Sequence, residues 1–300
     1  MHNNRKNKPH HRHPLKTAPP REDNSFRSVV SLTCACNRDL TLAELGKTYP
    51  AQSKNRLEQF IEHLNNTFRK YLISSCLEKA HFLAQVGHET GQLHFTAEQL
   101  GSGIKEKDVY DGYKGRGLIQ ITYKAGYLAY GDYVDRDFTG EKKVDLEEVS
   151  WATDSAGWFW SIRNSPSLVK SSDKNDLIEI TIKINGGLNG YNDRVTQLNR
   201  AAKALLIDQC QNRQACPNTS AYYLTTSAAN ESSDAAFAWG LWHDPSSKQK
   251  GTSKDVTEAI AGYQRFLDIK QQQKHGRFGF KKPQNMIEHA EKRIKELEKG

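Results

Sequence analysis

The chain has 300 residues, room for one large domain or for a compact domain with appendages. With 36% apolar residues and a mean hydropathy of −0.77 it is too polar for 300 uniformly packed residues, and it has no run near the roughly 18–20 apolar residues of a membrane span. A net charge of +8 suits polyanions such as nucleic acid, anionic lipid or acidic wall polymers, and equally suits plain solubility.

Residues 1–28 are rich in Lys, Arg, His, Asn and Pro and read as a disordered basic arm. The apolar run that follows, Val29 to Cys36, is short and broken by Ser31 and Thr33, so it is no classical signal peptide. Thr41-Leu-Ala-Glu44 fits a capping box and opens a first helix. Leu57, Phe60, Ile61 and Leu64 give a second, over about 53–64. Tyr71 to Thr90 reads as the third, with a stripe of Cys76, Leu77, Ala80, Leu83, Ala84 and Gly87, and Gly91 as its stop.

Residues 101–117 are glycine-rich and polar, hence loop, and Leu118 to Thr122 alternates like a short strand. Further helices are expected over 124–130, 151–163 and 191–206, and residues 177–184 lead into a glycine turn at 185–190. Residues 213–235 have a linker composition. Beyond them Phe237 to Trp242 form an aromatic knot, and 256–270 and 284–299 read as helices. The expected layout is therefore an arm (1–28), a catalytic domain (29–212), a linker (213–235) and a helical extension (236–300).

The five cysteines, Cys34, Cys36, Cys76, Cys210 and Cys216, are an odd set for a disulfide framework. Cys76 falls on an apolar helix face and reads as a buried thiol. Cys34 with Cys36, and Cys210 with Cys216, are the pairs near enough in sequence to bond. The second pair lacks zinc-finger spacing and there is no matching set of histidines, so no metal is expected.

Chemistry concentrates between Ala80 and Leu100. Glu89 ends a helix, at the negative end of its dipole and one turn from Val86, and both effects favour a protonated carboxyl. Glu98 lies nine residues later, beyond the Gly91 stop and among polar residues that suit an ionised base. Two carboxyls in unlike settings are the pattern for dividing acid and base roles. His88-Glu89 also invites a zinc-protease reading, but position 92 is Gln where a second His is needed.

AHFLAQVGHET (80–90) closely resembles the active-site helix of glycoside hydrolase family 19, the chitinases and related bacterial and phage endolysins. TAEQL (96–100), YKGRGLIQIT (113–122), INGGLNG (184–190) and Arg194 resemble further segments of that family, in its order. The resemblance spans about residues 40–207 and implies a mainly α, lysozyme-like hydrolase domain with little or no β structure. It implies an inverting mechanism without cofactor, with Glu89 as general acid and Glu98 as the base that activates water. By the same match Thr122 positions that water, Tyr113 and Gln120 contact sugar, and Asn185 and Arg194 shape the sugar site beside the acid. His88 matches the histidine before the acid and reads equally as a packed core residue. Gly126 stands where many members carry a sugar-binding Asn.

The polymer expected is peptidoglycan, cleaved in the manner of a lysozyme, with chitin as the alternative and a non-catalytic wall-binding or secretion-adaptor protein as a third reading. Cys34 to Thr41 also looks like family members that accompany type VI secretion systems. That fits synthesis in the cytoplasm, action at a cell wall, and a secretion carrier and an immunity protein as partners. No nucleic acid and no membrane span are expected.

Overall fold

A computed structural model describes residues 34–165, 167–210, 222–249, 254–269 and 276–299. The predicted arm and Cys216 lie outside them. Everything described belongs to one compact unit, and it is mainly α, with two isolated bridges as the only β pairing among the described residues.

The chain enters through α1 (Leu42–Thr48), where Thr41 accepts the Glu44 N–H and Glu44 returns a carboxylate to the Thr41 N–H, completing the capping box. Helix α2 (Lys54–Lys70) runs past the predicted end at 64 because Thr67 and Phe68 extend its buried face. Helix α3 (Cys76–Thr90) begins five residues later than the expected Tyr71: Leu72 sits at φ 56, and Ser75 with Glu78 forms a second capping box. Gly91 ends α3 in the left-handed conformation, φ 58 and ψ 50.

Helix α3 is the axis of the fold. Every one of its residues is buried except His88 and Glu89. Phe82 meets Trp160 and Phe68 edge to face, each at 5.3 Å between ring centroids. A side chain at Gly87 would meet Tyr49 at 2.9 Å and Gln197 at 3.1 Å, so this glycine lets its neighbours approach α3 closely.

Helix α4 (Tyr123–Val134) follows the motif loop, and α5 (Val149–Trp158) runs into a wider π turn over Phe159–Arg163. A short α6 (Leu168–Asp173), unforeseen in the sequence, precedes α7 (Leu177–Asn185) and α8 (Tyr191–Ala204). The strand expected at 118–122 reduces to one bridge, Arg116 to Ile121. The backbone there turns instead of extending, with Gly117 at φ 79 and Gln120 at φ 55.

The described part of the expected linker is folded. Residues 224–226 and 228–231 make two single 3-10 turns. They are held by Asp176, which accepts from the Ser227 hydroxyl and the Ala228 N–H, each at 2.7 Å, while it also caps α7. Small polar residues satisfy their own backbone locally, so a linker-like composition can still pack. Helices α9 (Ser233–His243), α10 (Val256–Asp268) and α11 (Pro283–Leu297) follow. Trp239 and Trp242 are each 1% exposed and meet Tyr191 of α8 edge to face, so the aromatic knot is interior and offers no stacking surface for sugar.

Candidate active site

The unburied end of α3 opens into a cleft of about 650 Å³. Glu89 and Glu98 both line it, from different elements. With them stand His88, Gln120, Thr122 and Asn185, and also Phe95, Tyr110 and Asn189.

Glu89 sits on the last turn of α3, where the helix end denies it backbone donors and a side chain must supply one. Arg194 of α8 does so, donating to Glu89 Oε1 at 2.5 Å and also to Gln85 Oε1, one turn back on α3. The Arg194 side chain is fully buried while Glu89 is 17% exposed, so the cation anchors the carboxyl from the protein side. The helix-end argument from the sequence left this charged contact out.

Glu98 is fixed by a miniature ladder. Residues 96–98 lie against 115–117 through Glu98 N–H to Gly115 C=O (2.8 Å) and Gly117 N–H to Thr96 C=O (2.8 Å), and Arg116 pairs on with Ile121. The Gly115 N–H then donates to Glu98 Oε2 at 3.0 Å, and Tyr110 donates to Oε1 at 3.4 Å. A side chain at Gly115 would stand 2.8 Å from Gln120 Oε1 and 3.4 Å from Glu98, so glycine is what lets the three segments meet.

The fixity of this loop comes from Arg116, which is 2% exposed. It donates twice to Glu106 (2.7 and 3.0 Å), once to Glu147 (2.6 Å) and once to Tyr127 (3.1 Å). The hydrogen bond from Arg116 pulls the Glu106 carboxyl down to about 2. Arg116 is thus a scaffold residue, as its place between two glycines suggests.

Thr122 is the residue before α4, yet its side chain makes no capping bond, so its hydroxyl is not spent on the helix. Gln120 gives its amide N–H to Gly117 C=O at 2.8 Å, and its Oε1 is buried without a partner. Asn185 ends α7 just before Gly186, a left-handed C-cap. His88 bonds Asp193 at 2.7 Å, and its ring fills the space where a side chain at Gly190 would be, so it packs while also lining the cleft.

One expected sugar contact does not reach the cleft wall. Tyr113 is 9% exposed, stacks edge to face on Tyr127 at 5.1 Å, and its hydroxyl accepts the Gly140 N–H at 3.2 Å. Tyr110, three residues earlier in a loop without periodicity, lines the cleft in its place. Gly126 also has a structural reason: a side chain there would stand 2.8 Å from Ile121, so α4 has no room for the family's Asn.

No family model matches the chain. It is 33% identical over 131 residues to a glycosyl hydrolase family 19 domain-containing protein of Haemophilus influenzae, covering 44% of this chain and 60% of that protein. It is 29% identical over 86 residues to the acidic endochitinase Q of Nicotiana tabacum, covering 28% of this chain and 34% of that one. The chain therefore spans less than two thirds of each of these relatives. Among solved structures, chitinase C from Streptomyces griseus HUT6037 is similar at 21% identity with a TM-score of 0.46, over 55% of this chain and 91% of that one. A mutant of chitinase C gives 19% identity and a TM-score of 0.48, over 60% and 79%. The resemblance to family 19 read from the sequence motifs is borne out by these relatives.

Proposed function

We propose that the chain is a glycoside hydrolase that cuts β-1,4 bonds between amino sugars, with peptidoglycan as its polymer, by an inverting acid/base mechanism. The observation that carries this reading is that Glu89 and Glu98, from different elements, line one cleft and are each held by their own donors.

Arg194 occupies Glu89 Oε1, which leaves the other carboxyl oxygen to carry the proton. Protonated there, Glu89 gives its proton to the glycosidic oxygen as the bond to the anomeric carbon breaks. Glu98, steered by the Gly115 N–H and Tyr110, takes a proton from water as that water attacks the opposite face of the sugar. The Thr122 hydroxyl, free of any capping duty, holds the water, and Gln120 lines the sugar site beside it. Asn185 and Asn189 line the cleft beside the acid.

Peptidoglycan is favoured over chitin by charge: the chain carries +8, and wall polymers are anionic where chitin is not. The tobacco relative's name, an endochitinase, favours chitin as the second reading. Digestion of purified sacculi and of chitin oligomers side by side, with the new reducing ends identified, decides between them. Release from sacculi that weakens as salt rises, with chitin oligomers little cut, is expected. Preferential cleavage of chitin would overturn the peptidoglycan assignment, and no release from either would overturn the hydrolase. Delivery by a secretion system, with carrier and immunity partners, is supported by the look of residues 34–41 alone.

A further inference from the structure

Far from the cleft, at the opposite end of α3, the fold collects four cysteines. Cys34 and Cys36 come from the entry segment, Cys76 from the first turn of α3, and Cys210 from just beyond α8. Their four sulfur atoms all lie within 4.8 Å of one another. Cys36 Sγ stands 2.8 Å from Cys76 Sγ and 3.0 Å from Cys210 Sγ, and Cys76 to Cys210 is 3.4 Å. The structure pairs Cys34 with Cys210 as a disulfide and leaves Cys36 and Cys76 as thiols. Cys210 thus pairs with a residue 176 positions away, and Cys216, the other candidate partner, lies outside the described residues.

We propose that these four cysteines form a tetrathiolate site for a structural zinc ion, built on Cys34, Cys36, Cys76 and Cys210.

Size comes first. Four thiolates about 2.3 Å from one Zn²⁺ stand about 3.8 Å apart at the corners of a tetrahedron, and a cluster confined within 4.8 Å needs only small side-chain adjustments to enclose an ion. Chemistry comes second, since soft sulfur ligands in a closed set of four select zinc among the common divalent ions. Cys34 and Cys36 are partly exposed, which gives the ion a way in, while Cys76 and Cys210 close the far side.

Charge supplies an independent argument. Lys79 of α3 is 3% exposed, and its ammonium is held by the carbonyls of Ala35 and Arg38, each at 2.7 Å. Neither carbonyl carries the negative charge that a buried cation requires. A zinc tetrathiolate carries a net charge of about −2 and provides an anion for Lys79, whereas Arg38 already has one in Glu44. Two neutral disulfides, 34–210 and 36–76, would not. The Cys76 N–H also donates to Cys36 Sγ at 3.1 Å, the kind of outer hydrogen bond that orients a metal thiolate.

The metal form belongs to the reduced chain. Four thiols lose four protons as Zn²⁺ binds. With Cys34 and Cys210 joined, only Cys36 and Cys76 could ligate, so the disulfide and the complete site exclude one another. The ion would tie the entry segment, the start of α3 and the end of α8 together, three segments too far apart in sequence for any motif to reveal. The site is independent of the glycosidase reading and needs no turnover to test.

The full chain, purified with a phosphine reductant that opens any disulfide, is assayed for metal by mass spectrometry. One zinc per chain that survives gel filtration is expected. Replacement by Co²⁺ should give sulfur-to-cobalt charge-transfer bands with tetrahedral ligand-field absorption. Alkylation followed by peptide mapping should show Cys34, Cys36, Cys76 and Cys210 protected until a chelator is added. The double variant Cys36→Ser/Cys76→Ser should bind zinc more than about a hundredfold more weakly, beyond the range for outer-shell changes. A reduced chain that takes up no zinc, a different protected set, or undiminished zinc in that variant would overturn the site. The alkylation arm uses the unaltered chain, so it reads out even if the variant does not fold.

Discussion

Glu89 and Glu98 are neighbours in sequence but are held in different ways, and single substitutions should separate them. Glu89→Gln keeps an Arg194 acceptor and removes the transferable proton. It should cut kcat by at least about 10²–10⁴-fold, measured by reducing-end release, and, because it leaves the buried Arg194 without its anion, also lower the melting temperature read by calorimetry, with the fold retained. The two tyrosines make a sharper contrast. Tyr110→Phe removes a donor to Glu98 and should lower kcat/KM by about tenfold without loss of stability. Tyr113→Phe removes only an acceptor for the exposed Gly140 N–H, which water can replace, so it should cost under about 1 kcal/mol of stability and little activity. Equal effects of the two on turnover would contradict the cleft geometry. Sequence motifs pointed to the residues that do gather here, Glu89, Glu98, Gln120, Thr122 and Asn185, because each lies within a compact motif. They misplaced Tyr113 and passed over Tyr110, since which of two loop tyrosines faces a cleft depends on φ at Tyr110 and Asp111, both positive and neither announced by glycine.

At the level of elements, glycines mark where helices meet. At Gly157 of α5 an added methyl would overlap Tyr71 and Thr67, whose segment packs across it. Gly157→Ala should therefore destabilise the protein by about 1–3 kcal/mol despite its better helix propensity, read from urea unfolding. Gly262 of α10 faces Gly240 of α9 so closely that a side chain would meet backbone at 2.8 Å or less, and the same change there should cost at least as much. An alanine tolerated at both sites would mean the helices can separate freely. Most helices were legible from apolar periodicity and caps, the Thr41 box most directly. The start of α3 was not, because Tyr71 and Ile73 are buried like helix residues while the chain around Leu72 turns. The strand reading of 118–122 fails because its alternating sequence folds into a tight turn in which the adjacent Leu118 and Ile119 are both buried.

For the molecule as a whole, acid is the discriminating stress. Burial pushes the imidazoles of His81 and His243 down to about 4, from 6.5 in the unfolded chain. Between those values the unfolded state binds protons that the native state refuses, so stability is complete above about pH 6.5 and falls as pH drops toward 4. Glu106, pulled from 4.5 to about 2 by Arg116, adds a second loss below 4.5 as that pairing is protonated away. The urea midpoint should thus decline in two overlapping stages, and a midpoint flat from pH 7 to 5 would contradict the buried-histidine account. Composition foretold a compact body with polar tails and the family resemblance a mainly helical one, but neither foretold that residues 224–231 pack onto α7 or that the tryptophans of α9 lie against Tyr191. Those contacts join segments distant in sequence and have no local signal.

The near-complete burial of α3 carries a consequence for motion. Its amides can meet solvent deuterium only when the whole unit opens, whereas residues 101–105 are exposed and exchange through local fraying. The carboxyl on α3 should thus ride on a slowly exchanging helix, while its counterpart, itself held by the ladder, borders the exposed residues 101–105. An amino-sugar oligomer in the cleft should slow deuterium uptake over 98–115 and leave α3 as it was, so that closing on substrate is a movement of one wall against a stationary other.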